Sequence, residues 1–429
     1  MHEPSDVGAE AGTSPESGVG TIRIGGLSSE GDGVGRLADG RVVFVEGAVP
    51  GDDVELADLV LRKRMARARI GRLVRPSADR VEPECPHFGA CGGCDWQHVR
   101  YAVQLEAKRA RVRDALVRIG GFELDDALEI VPSPDPYRYR ARARPVERDG
   151  RLGYRRRGSR EIVPVEACPV LRPELEEALR SLGREIADGG VDGKGGARAR
   201  AGEREWILSA GTDGEVVRHG ATRRARQGTG PAIALEVLGE SLRAGAQSFV
   251  QGNALLWDRL AGLVHAELIE GLGDPKALRF LELYAGIGFF TLPLARSGLS
   301  GVAIESDRSA FADLRANLDR ADLAARVETI RARVERRSDL ATRCADADVL
   351  LADPPRAGLA SPVREAIAAS GPGRVVYVSC DPATLARDLA GLRQAGYRLA
   401  SVRALDLFPQ TPHVEVVARL ARDRAASRE

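Results

Sequence analysis

The 429-residue sequence predicts a multidomain α/β protein that ends in a doubly wound, Rossmann-like sheet. From residue 278 onward, short apolar runs alternate with helical segments, as in parallel strands joined by helices. One apolar, β-branched run, residues 375–378, leads directly into Cys380 and a helical start at Pro382. Ligands of such sheets bind beyond the carboxyl ends of the strands. Cys380 therefore lies where chemistry is expected.

Length and composition set further limits. At about 100 to 200 residues per domain, the chain should contain about two to four domains. Residues 1–18 are rich in Glu, Gly, Ser and Pro and predict a disordered tail. No apolar stretch is long enough to span a membrane, and the N-terminus has neither a basic nor an apolar region. We therefore expect a cytoplasmic monomer that neither enters a membrane nor is secreted.

Residues 19–77 contain short alternating runs separated by Gly and Asp, which predict a small, OB-like β-barrel. Seven basic residues and no acidic one lie in the run 62–75. Clustered positive charge attracts phosphate, although the net charge of the chain is only +1. The runs at 35–37 and 45–52, with this basic run, resemble a TRAM domain, which implies RNA contact. The alternative is a barrel with a merely solvated basic edge.

Three of the six cysteines, Cys85, Cys91 and Cys94, fall within ten residues of sequence. In a cytosolic protein this indicates metal or redox work and not disulfides. Cys168 is the natural fourth ligand, and the glycines before Cys94 would let the backbone turn tightly. Four thiolates suit zinc or an iron–sulfur cluster, and the spacing leaves both open. The C-x3-C-x2-C spacing of radical methylating enzymes is absent.

Residues 78–245 predict a central α+β domain that includes this cysteine loop. Apolar residues at helical spacing predict a helix at 101–119. His87 and His98 lie beside the cysteines, and we expect them to pack or hydrogen-bond and not to ligate metal.

Two segments of the central domain lack clear function. Residues 137–144 alternate Tyr or Ala with Arg, which predicts a strand with one arginine face, either for phosphate or merely solvated. Residues 183–204 have little apolar content and predict a loop insertion.

Cys344 lies outside every motif and is expected to be a structural thiol.

The C-terminal domain is predicted at residues 246–429. A strand, a glycine turn with Gly286 and Gly288, and a helix follow one another near its start. A dinucleotide fingerprint would place its third glycine at Thr291, so NAD binding is disfavoured. The next strand, residues 302–307, ends in carboxylates that can accept hydrogen bonds from ribose hydroxyls. This combination is typical of an S-adenosylmethionine site.

Two carboxylates further along the chain have unusual positions. Asp353 ends a buried strand and enters a loop stiffened by Pro354 and Pro355, and a rigid loop can grip a planar base. Glu415 enters a final apolar strand, where an unpaired carboxylate is unfavourable. A functional role for both is therefore expected.

Three segments together resemble the signatures of the RNA 5-methyluridine methyltransferase family. They are Asp353-Pro-Pro-Arg-x-Gly, Tyr377-x-Ser-Cys-Asp-Pro-Ala-Thr and Asp406-x-Phe-Pro-Gln-Thr-x-His-Val-Glu. The resemblance runs from the barrel to Glu415. It implies S-adenosylmethionine-dependent methylation of uracil C5 in RNA, with Cys380 as nucleophile and Glu415 as base. Such chemistry needs a thiolate at C6, a base for the C5 proton and an unpaired or flipped nucleotide.

The same resemblance implies the ligands of two cofactors. S-adenosylmethionine would be contacted, beside the turn at Gly286, by Gln251, Tyr284, Glu305 and Asp353. A [4Fe–4S] cluster would be held, as in the family's 23S rRNA branch, by Cys85, Cys91, Cys94 and Cys168.

Two residues depart from the family pattern. Phe289 stands where members often have Asn, and Asp381 replaces the usual Asn after the nucleophile. Three alternatives remain open from the sequence: a transfer RNA substrate in place of 23S rRNA, a cytosine-5 enzyme, and a noncatalytic RNA-binding protein. The pairing of Cys380 with Glu415 argues against the last of these.

Overall fold

The computed structural model describes residues 20–124, 128–189, 198–199, 202–220 and 230–422. The predicted tail at residues 1–18 lies outside these ranges. The chain divides into two compact units, residues 1–28 with 32–80 and residues 29–31 with 81–429. Among the described helices, none is long and apolar enough to cross a membrane.

The N-terminal unit is a six-stranded sheet of order β1-β5-β6-β4-β3-β2. Its strands are β1 (Ile22–Arg23), β2 (Gly26–Leu27), β3 (Gly33–Arg36), β4 (Val42–Glu46), β5 (Asp53–Leu61) and β6 (Met65–Arg75). The edge strands β1 and β2 are consecutive in the chain. Between them, the Ile24 amide donates to Asp52 on one side and the Gly25 amide donates to Val34 on the other. The sheet must therefore curl until its edges meet, as the predicted barrel requires.

The larger unit begins with the cysteine loop, helix α1 (Tyr101–Arg118) and the short strand β7 (Ile130–Val131). An antiparallel sheet follows, in which β13 pairs with β8, β9, β12 and β14. Its elements are β8 (Arg142–Ala143), β9 (Val146–Arg148), β10 (Arg151–Arg155), β11 (Ile162–Pro164), α2 (Pro173–Ala187), β12 (Arg198–Ala199), β13 (Glu203–Ala210) and β14 (Val216–Gly220). Helix α2 packs against this sheet through Leu175, Leu179 and Leu182.

A hairpin of β15 (Ala232–Val237) and β16 (Glu240–Gly245) leads into the catalytic part of the chain. Its helices are α3 (Trp257–Ile269), α4 (Thr291–Arg296), α5 (Arg308–Arg320), α6 (Leu340–Asp346), α7 (Ser361–Ser370) and α8 (Pro382–Gln394). Its strands are β17 (Arg279–Leu283), β18 (Ser300–Glu305), β19 (Val327–Arg331), β20 (Val349–Ala352), β21 (Arg374–Ser379), β22 (Arg398–Leu405) and β23 (Glu415–Ala421).

These strands and β7 form an eight-stranded sheet of order β19-β18-β17-β20-β21-β23-β22-β7. The pairs from β19 to β21 are parallel, because helices cross over between them. The last strand, β23, runs antiparallel between β21 and β22. The predicted Rossmann-like sheet is confirmed, and its antiparallel interior strand is an addition that the sequence did not reveal.

The predicted division near residue 245 does not coincide with a change of core. Leu235 and Leu242 of the β15–β16 hairpin pack in the same buried cluster as Leu260 and Phe280. Helix α1 likewise contributes Leu116 to a core shared with the catalytic sheet. The domain bounds at 77/78 and 245/246 stay predictions.

Two local predictions need correction. Residues 137–144 do not form one strand, because only Arg142–Ala143 pairs with β13 and Arg138 has a left-handed φ of 51°. The predicted loop at 183–204 is helical up to Ala187, contains the short strand β12 (Arg198–Ala199) and enters β13 at Glu203. Residues 190–197 and 200–201 of that loop lie outside the described part of the chain.

Candidate active site

The predicted site residues of the catalytic part meet at one edge of the eight-stranded sheet. Asp353 and Cys380 directly follow β20 and β21, and Glu305 is the last residue of β18. Glu415 reaches the same edge as the first residue of β23, because that strand runs in the opposite direction and Val416 pairs with Ser379. An antiparallel strand thus brings its amino end to the carboxyl ends of its neighbours.

Cys380 and Glu415 both line a cavity of about 1230 Å³. Glu415 is only 3% exposed. Burial raises the pKa of Cys380 to about 11, and the nearby carboxyl groups of Glu415 and Asp353 add to this, while Arg356 lowers it. Burial and Asp353 raise the pKa of Glu415 well above its usual value. The carboxyl group therefore lies close enough to the thiol to disfavour its ionised form.

Asp353 and Gln251 lie side by side on the cavity wall. The Gln251 amide is 3.4 Å from an Asp353 carboxylate oxygen, and the Trp257 indole N–H donates to the Gln251 carbonyl at 2.9 Å. Burial raises the pKa of Asp353 to about 7. Arg142 supports this segment, since its guanidinium donates to the carbonyls of Ser248 and Ala246. Arg142 is thus a structural anchor and not part of an exposed phosphate face.

The glycine turn after β17 has a backbone that only a few residue types adopt. Tyr284 has φ 65° and Gly286 has φ 59°. Gly288 has φ 93°, and a Cβ there would lie 2.7 Å from a Leu292 methyl carbon, so a side chain would be strained and would displace this leucine. The Glu305 carboxylate accepts from the Gly286 amide at 2.8 Å and from the Asp307 amide at 2.5 Å.

Asp307 also lines the cavity, but its carboxylate has a structural partner. Its carboxylate caps α5 by accepting from the Ser309 and Ala310 amides, each at 2.9 Å. Glu305 likewise accepts from two backbone amides, so contact of either carboxylate with a ribose stays a prediction.

Thr291, where a dinucleotide fingerprint would have glycine, has a partner of its own. Its hydroxyl donates at 2.6 Å to Glu282, which is 1% exposed. Burial raises the pKa of Glu282 to about 8. Phe289, at the position where relatives often carry Asn, is buried edge-to-face against Phe290. The sequence analysis did not single out Glu282. The only sequence feature that could have indicated its burial is the position of a carboxylate inside an apolar strand.

The four cysteines of the predicted metal site line the same cavity as Cys380. Burial and the neighbouring thiols raise the pKa of Cys94 and of Cys168 to about 12, whereas Arg140 lowers both. All six cysteines of the chain are free thiols. Within the described residues, no group of three or more His, Cys, Asp or Glu side chains is arranged to hold a metal ion. Metal ligation therefore stays a prediction.

The turn between the cysteines is as tight as predicted. A Cβ on Gly92 would lie 2.9 Å from the Arg155 carbonyl oxygen, so only glycine fits. His87 accepts a long hydrogen bond of 3.4 Å from the Glu166 amide, and the His98 ring packs at 5.2 Å from Phe88. Both histidines pack or hydrogen-bond, as expected.

The basic run of the N-terminal unit is largely neutralised by acidic partners. Four of its arginines form ion pairs, namely Arg67 with Asp32, Arg69 with Glu46, Arg72 with Glu55 and Arg75 with Asp53. The turn between β5 and β6 carries Arg62, Lys63 and Arg64, which are exposed. In the part of the chain that the structure describes, these three form no ion pair. Free positive charge is thus concentrated at the turn.

Arg356, which lines the cavity, and His413 are two further residues without a role from the sequence. Arg356 donates toward His413 Nε2 at 3.2 Å, and it lowers the pKa of the Cys380 thiol. Both residues lie inside the signature segments given above. Their position within these motifs is the sequence feature that could have pointed to them. Arg111 of α1 also reaches this edge, where it donates to the Pro412 carbonyl at 2.6 Å and lies 3.9 Å from Asp381.

The fold and site define the class of the protein. A glycine turn after a parallel strand, at the carboxyl edge of a Rossmann-like sheet, is typical of a class I, S-adenosylmethionine-dependent methyltransferase, and a thiol and a carboxyl group line the cavity beside it. A family model described as tRNA (Uracil-5-)-methyltransferase matches residues 235–423, and the TRAM domain model matches residues 19–56.

Relatives extend this match to nearly the whole chain. The 23S rRNA (uracil(1939)-C(5))-methyltransferase RlmD of Pectobacterium atrosepticum is 35% identical and covers 94% of both chains. An uncharacterized RNA methyltransferase of Gloeobacter violaceus is also 35% identical and covers 94% of this chain and 96% of its own. The chain therefore belongs to the RNA uracil-C5 methyltransferase family and is an S-adenosylmethionine-dependent enzyme.

A solved structure agrees with this assignment. The Pyrococcus abyssi tRNA (uracil-54, C5)-methyltransferase, in complex with S-adenosyl-L-homocysteine, has a TM-score of 0.71 and 27% identity. The match covers 94% of this chain and 100% of that one.

Proposed function

We propose that this enzyme methylates C5 of a uridine in 23S rRNA, with Cys380 as nucleophile and Glu415 as general base. One observation carries the proposal. A thiol at the end of β21 and a buried carboxyl group at the start of the adjacent antiparallel strand β23 line one cavity. The reaction requires a nucleophile and a base, and these two groups can supply them.

Each of the two groups has a distinct step. The Cys380 thiolate adds to C6, so an S–C6 bond forms and the electrons of the C5–C6 double bond move into a C4–C5 enolate. C5 then takes the sulfonium methyl group, and S-adenosylhomocysteine is released. The ionised Glu415 carboxylate then removes the C5 proton. The C5–C6 double bond re-forms, and the thiolate leaves C6.

Glu415 must be ionised at that last step, although burial raises its pKa in the free cavity. Asp353 is subject to the same effect of burial. A cation that enters a cavity lined by carboxyl groups lowers their pKa, and the cofactor carries a sulfonium charge. We therefore infer that Glu415 loses its proton when the cofactor binds, before methyl transfer removes the sulfonium charge, and that it stays ionised until it takes the C5 proton.

The cofactor contacts follow the hydrogen-bonding groups already described. Glu305 would accept from the ribose hydroxyls, and Tyr284 with the Gly286 backbone would form the wall of the turn. Gln251 and Asp353 would contact the polar end of the cofactor. Phe249, 66% exposed on the cavity wall, offers an aromatic face for a flipped base.

Ribosomal RNA is the favoured substrate for two reasons. The RlmD relative, whose name gives 23S rRNA as its substrate, matches over 94% of both chains. The four-cysteine set is the feature that the resemblance assigned to that branch. The alternative is transfer RNA, which the name of the matching family model and the name of the Pyrococcus enzyme favour.

We propose that Cys85, Cys91, Cys94 and Cys168 hold a [4Fe–4S] cluster. The chemistry of the donor set fits, since four free thiols line one cavity beside the positive charge of Arg140, although the described side chains would have to converge further to hold a metal. Thiols with pKa values raised to about 12 ionise readily only when a metal binds them. Zinc is the less favoured alternative, because the resemblance to the 23S rRNA branch implies a cluster. The cluster would join the loop 85–94 to Cys168, and no step of methyl transfer passes through it.

The first experiment maps 5-methyluridine by mass spectrometry in RNA from cells with and without the gene. We expect the nucleoside to disappear from one position of 23S rRNA. Loss from transfer RNA would establish the alternative substrate, and unchanged 5-methyluridine in both would overturn the proposal.

Variants then separate the two catalytic roles. Cys380→Ala should abolish methylation and any covalent complex with RNA. Glu415→Gln should accumulate a covalent complex that survives denaturing electrophoresis, because the C5 proton is not removed and the thiolate cannot leave. Cys344→Ala is the matched control, since Cys344 is a buried core residue away from the cavity.

A further inference from the structure

We propose that Asp388 of α8 is a positioning residue for methyl transfer, which fixes the loop 353–359 against the segment that carries Cys380. The loop 353–359 follows β20, and its residues 353–358 all line the cavity. The inference rests on the proposed role of Cys380 as nucleophile, because it concerns where the loop lies relative to that thiol.

Asp388 joins the end of the loop to the strand that precedes the nucleophile. Its side chain is completely buried. Carboxylate Oδ2 accepts from the Leu359 amide at 2.7 Å and from the Tyr377 hydroxyl at 2.8 Å. Tyr377 belongs to β21, which ends directly before Cys380. One oxygen atom therefore connects the loop to the strand that delivers the thiol.

The second carboxylate oxygen, Oδ1, holds two arginines that bind the loop in turn. Arg387 donates to Oδ1 from Nε at 2.9 Å and to the Ala357 carbonyl from Nη2 at 2.9 Å. Arg364 of α7 donates to Oδ1 at 3.2 Å and to the Leu359 carbonyl. Charge-assisted hydrogen bonds are strong and specific in geometry, so a carboxylate between two guanidinium groups orients both. Asp388 thus holds three backbone groups of the loop, one directly and two through the arginines.

Gly358 shows how closely the loop lies on this carboxylate. Its φ is 75°, and a Cβ there would overlap with Asp388 Oδ2. The Gly358 amide donates to the Pro355 carbonyl at 2.8 Å, which closes a turn. Pro354 and Pro355 stiffen the loop at one end, and Asp388 fixes it at the other. The backbone that lines the cavity is therefore held at both ends.

The position of Asp388 in α8 gives this network a consequence for catalysis. The helix begins at Pro382, so the segment that carries Cys380 and the buried carboxylate belong to one continuous element. Buried ion pairs often add little net stability compared with apolar residues, so geometry is the better reason for such a network. Misplacement of a reacting group by about 1 Å can lower a rate about a hundredfold. Asp388 is therefore suited to set the distance between the loop and the thiol.

The first test is hydrogen–deuterium exchange of the peptide that contains the loop 353–359, in the full-length protein. Asn at position 388 has only one acceptor oxygen, so it cannot serve both the loop side and the arginine side. Asp388→Asn should therefore speed exchange of this peptide about tenfold. Glu267→Gln is the matched control and should leave it unchanged. Glu267 is also buried between two arginines, Arg403 and Arg419, but it lies outside the residues that line the cavity.

Steady-state kinetics on the RNA that the enzyme methylates provide the second readout. Asp388→Asn should lower kcat about tenfold or more, because the loop no longer has a fixed position relative to the thiol. The KM for RNA should change less than about twofold, since phosphate contacts outside the loop position the RNA. Glu267→Gln should retain both constants. A variant that was merely less stable would not show this split between kcat and KM.

Two results would overturn the proposal. One is unchanged exchange of the loop in Asp388→Asn, and the other is faster exchange together with the kcat of the control. If Asp388→Asn does not fold, Arg387→Met decides, because Arg387 is half-exposed and holds the Ala357 carbonyl. It should lower kcat severalfold, and a kcat equal to that of the control would contradict the proposal. Exchange is measured without substrate, so failure here is distinct from failure of Cys380→Ala to abolish methylation.

Discussion

Lys108 and Asp406 form an ion pair in which both side chains are completely buried, with Nζ 2.5 Å from Oδ1. Lys108 also donates to the Phe408 carbonyl at 3.0 Å. One helical turn earlier in α1, the Gln104 amide exchanges two hydrogen bonds with Gln410. Helix α1 thus holds the loop that leads to the proposed base.

Breaking this pair should be costly. Lys108→Met leaves the Asp406 carboxylate buried without its cation, so we expect a loss of about 3–5 kcal/mol in unfolding free energy. The double variant Lys108→Met with Asp406→Leu should recover most of it, because no charge is left buried. Denaturant unfolding of the two variants measures both effects. A single variant as stable as the unmodified protein would show that Asp406 is accommodated some other way.

Glu282 should make stability depend on pH. Burial raises its pKa in the folded protein to about 8 from an ordinary value of 4.5. Its contribution to stability is therefore fully present below pH 4.5 and is lost as the pH rises through about 8. Glu282→Gln cannot ionise and still accepts from Thr291. When the pH is raised from ~6 to ~8.5, the unfolding free energy of the variant should fall less than that of the unmodified protein, by on the order of 3 kcal/mol. Thermal unfolding at the two pH values measures this difference. An equal loss of stability in the variant and in the unmodified protein would contradict the prediction.

The turn between β5 and β6 should dominate RNA attraction by the N-terminal unit. Replacing Arg62, Lys63 and Arg64 with Ser should weaken RNA binding and reduce the salt dependence of the binding constant by about two to three counterions. The matched control replaces three arginines that already have acidic partners, Arg69, Arg72 and Arg75. Filter binding over a range of salt concentrations compares the two. If the control variant loses as much affinity, the ion pairs do not shield the strand.

Loss of one proposed cluster ligand should be visible without any activity assay. Cys168→Ser is expected to remove most of the iron and the visible thiolate-to-iron absorbance of protein purified without oxygen. Cys344→Ser, at a cysteine buried in the core, serves as the control for loss of a thiol. Stoichiometric zinc in place of iron in the unmodified protein would overturn the choice of cluster.

Short sequence patterns correctly predicted the strands and helices whose residues prefer, by themselves, the same conformation that they adopt in the folded protein. The apolar run at 375–378 became β21, and the helical start at Pro382 became α8. The prediction for Arg142 was wrong. Arginine alternates with alanine around this position, and such alternation is typical of a strand with one exposed face. The carbonyls of Ala246 and Ser248 that bind it come from a distant segment, which no local pattern contains.

The same limit applies to the site. Cys380 was predicted from the strand that precedes it, but its proximity to Glu415 came only from the family resemblance, since β23 is antiparallel. Lys108 looks in sequence like a solvated residue of a charged helix. Its burial depends on Asp406, almost three hundred residues further along the chain.

The strand that carries Glu415 also holds the sheet together. Both β22 and β7 are connected to the parallel strands only through β23. A chain that lost this strand would lose two others with it, and the remaining sheet would expose the edge of β21. Loss of β23 would therefore remove the proposed base and the sheet pairing of two further strands together. A shortened form that holds RNA without modifying it is thus disfavoured, because the integrity of the sheet depends on the same segment as the proposed turnover.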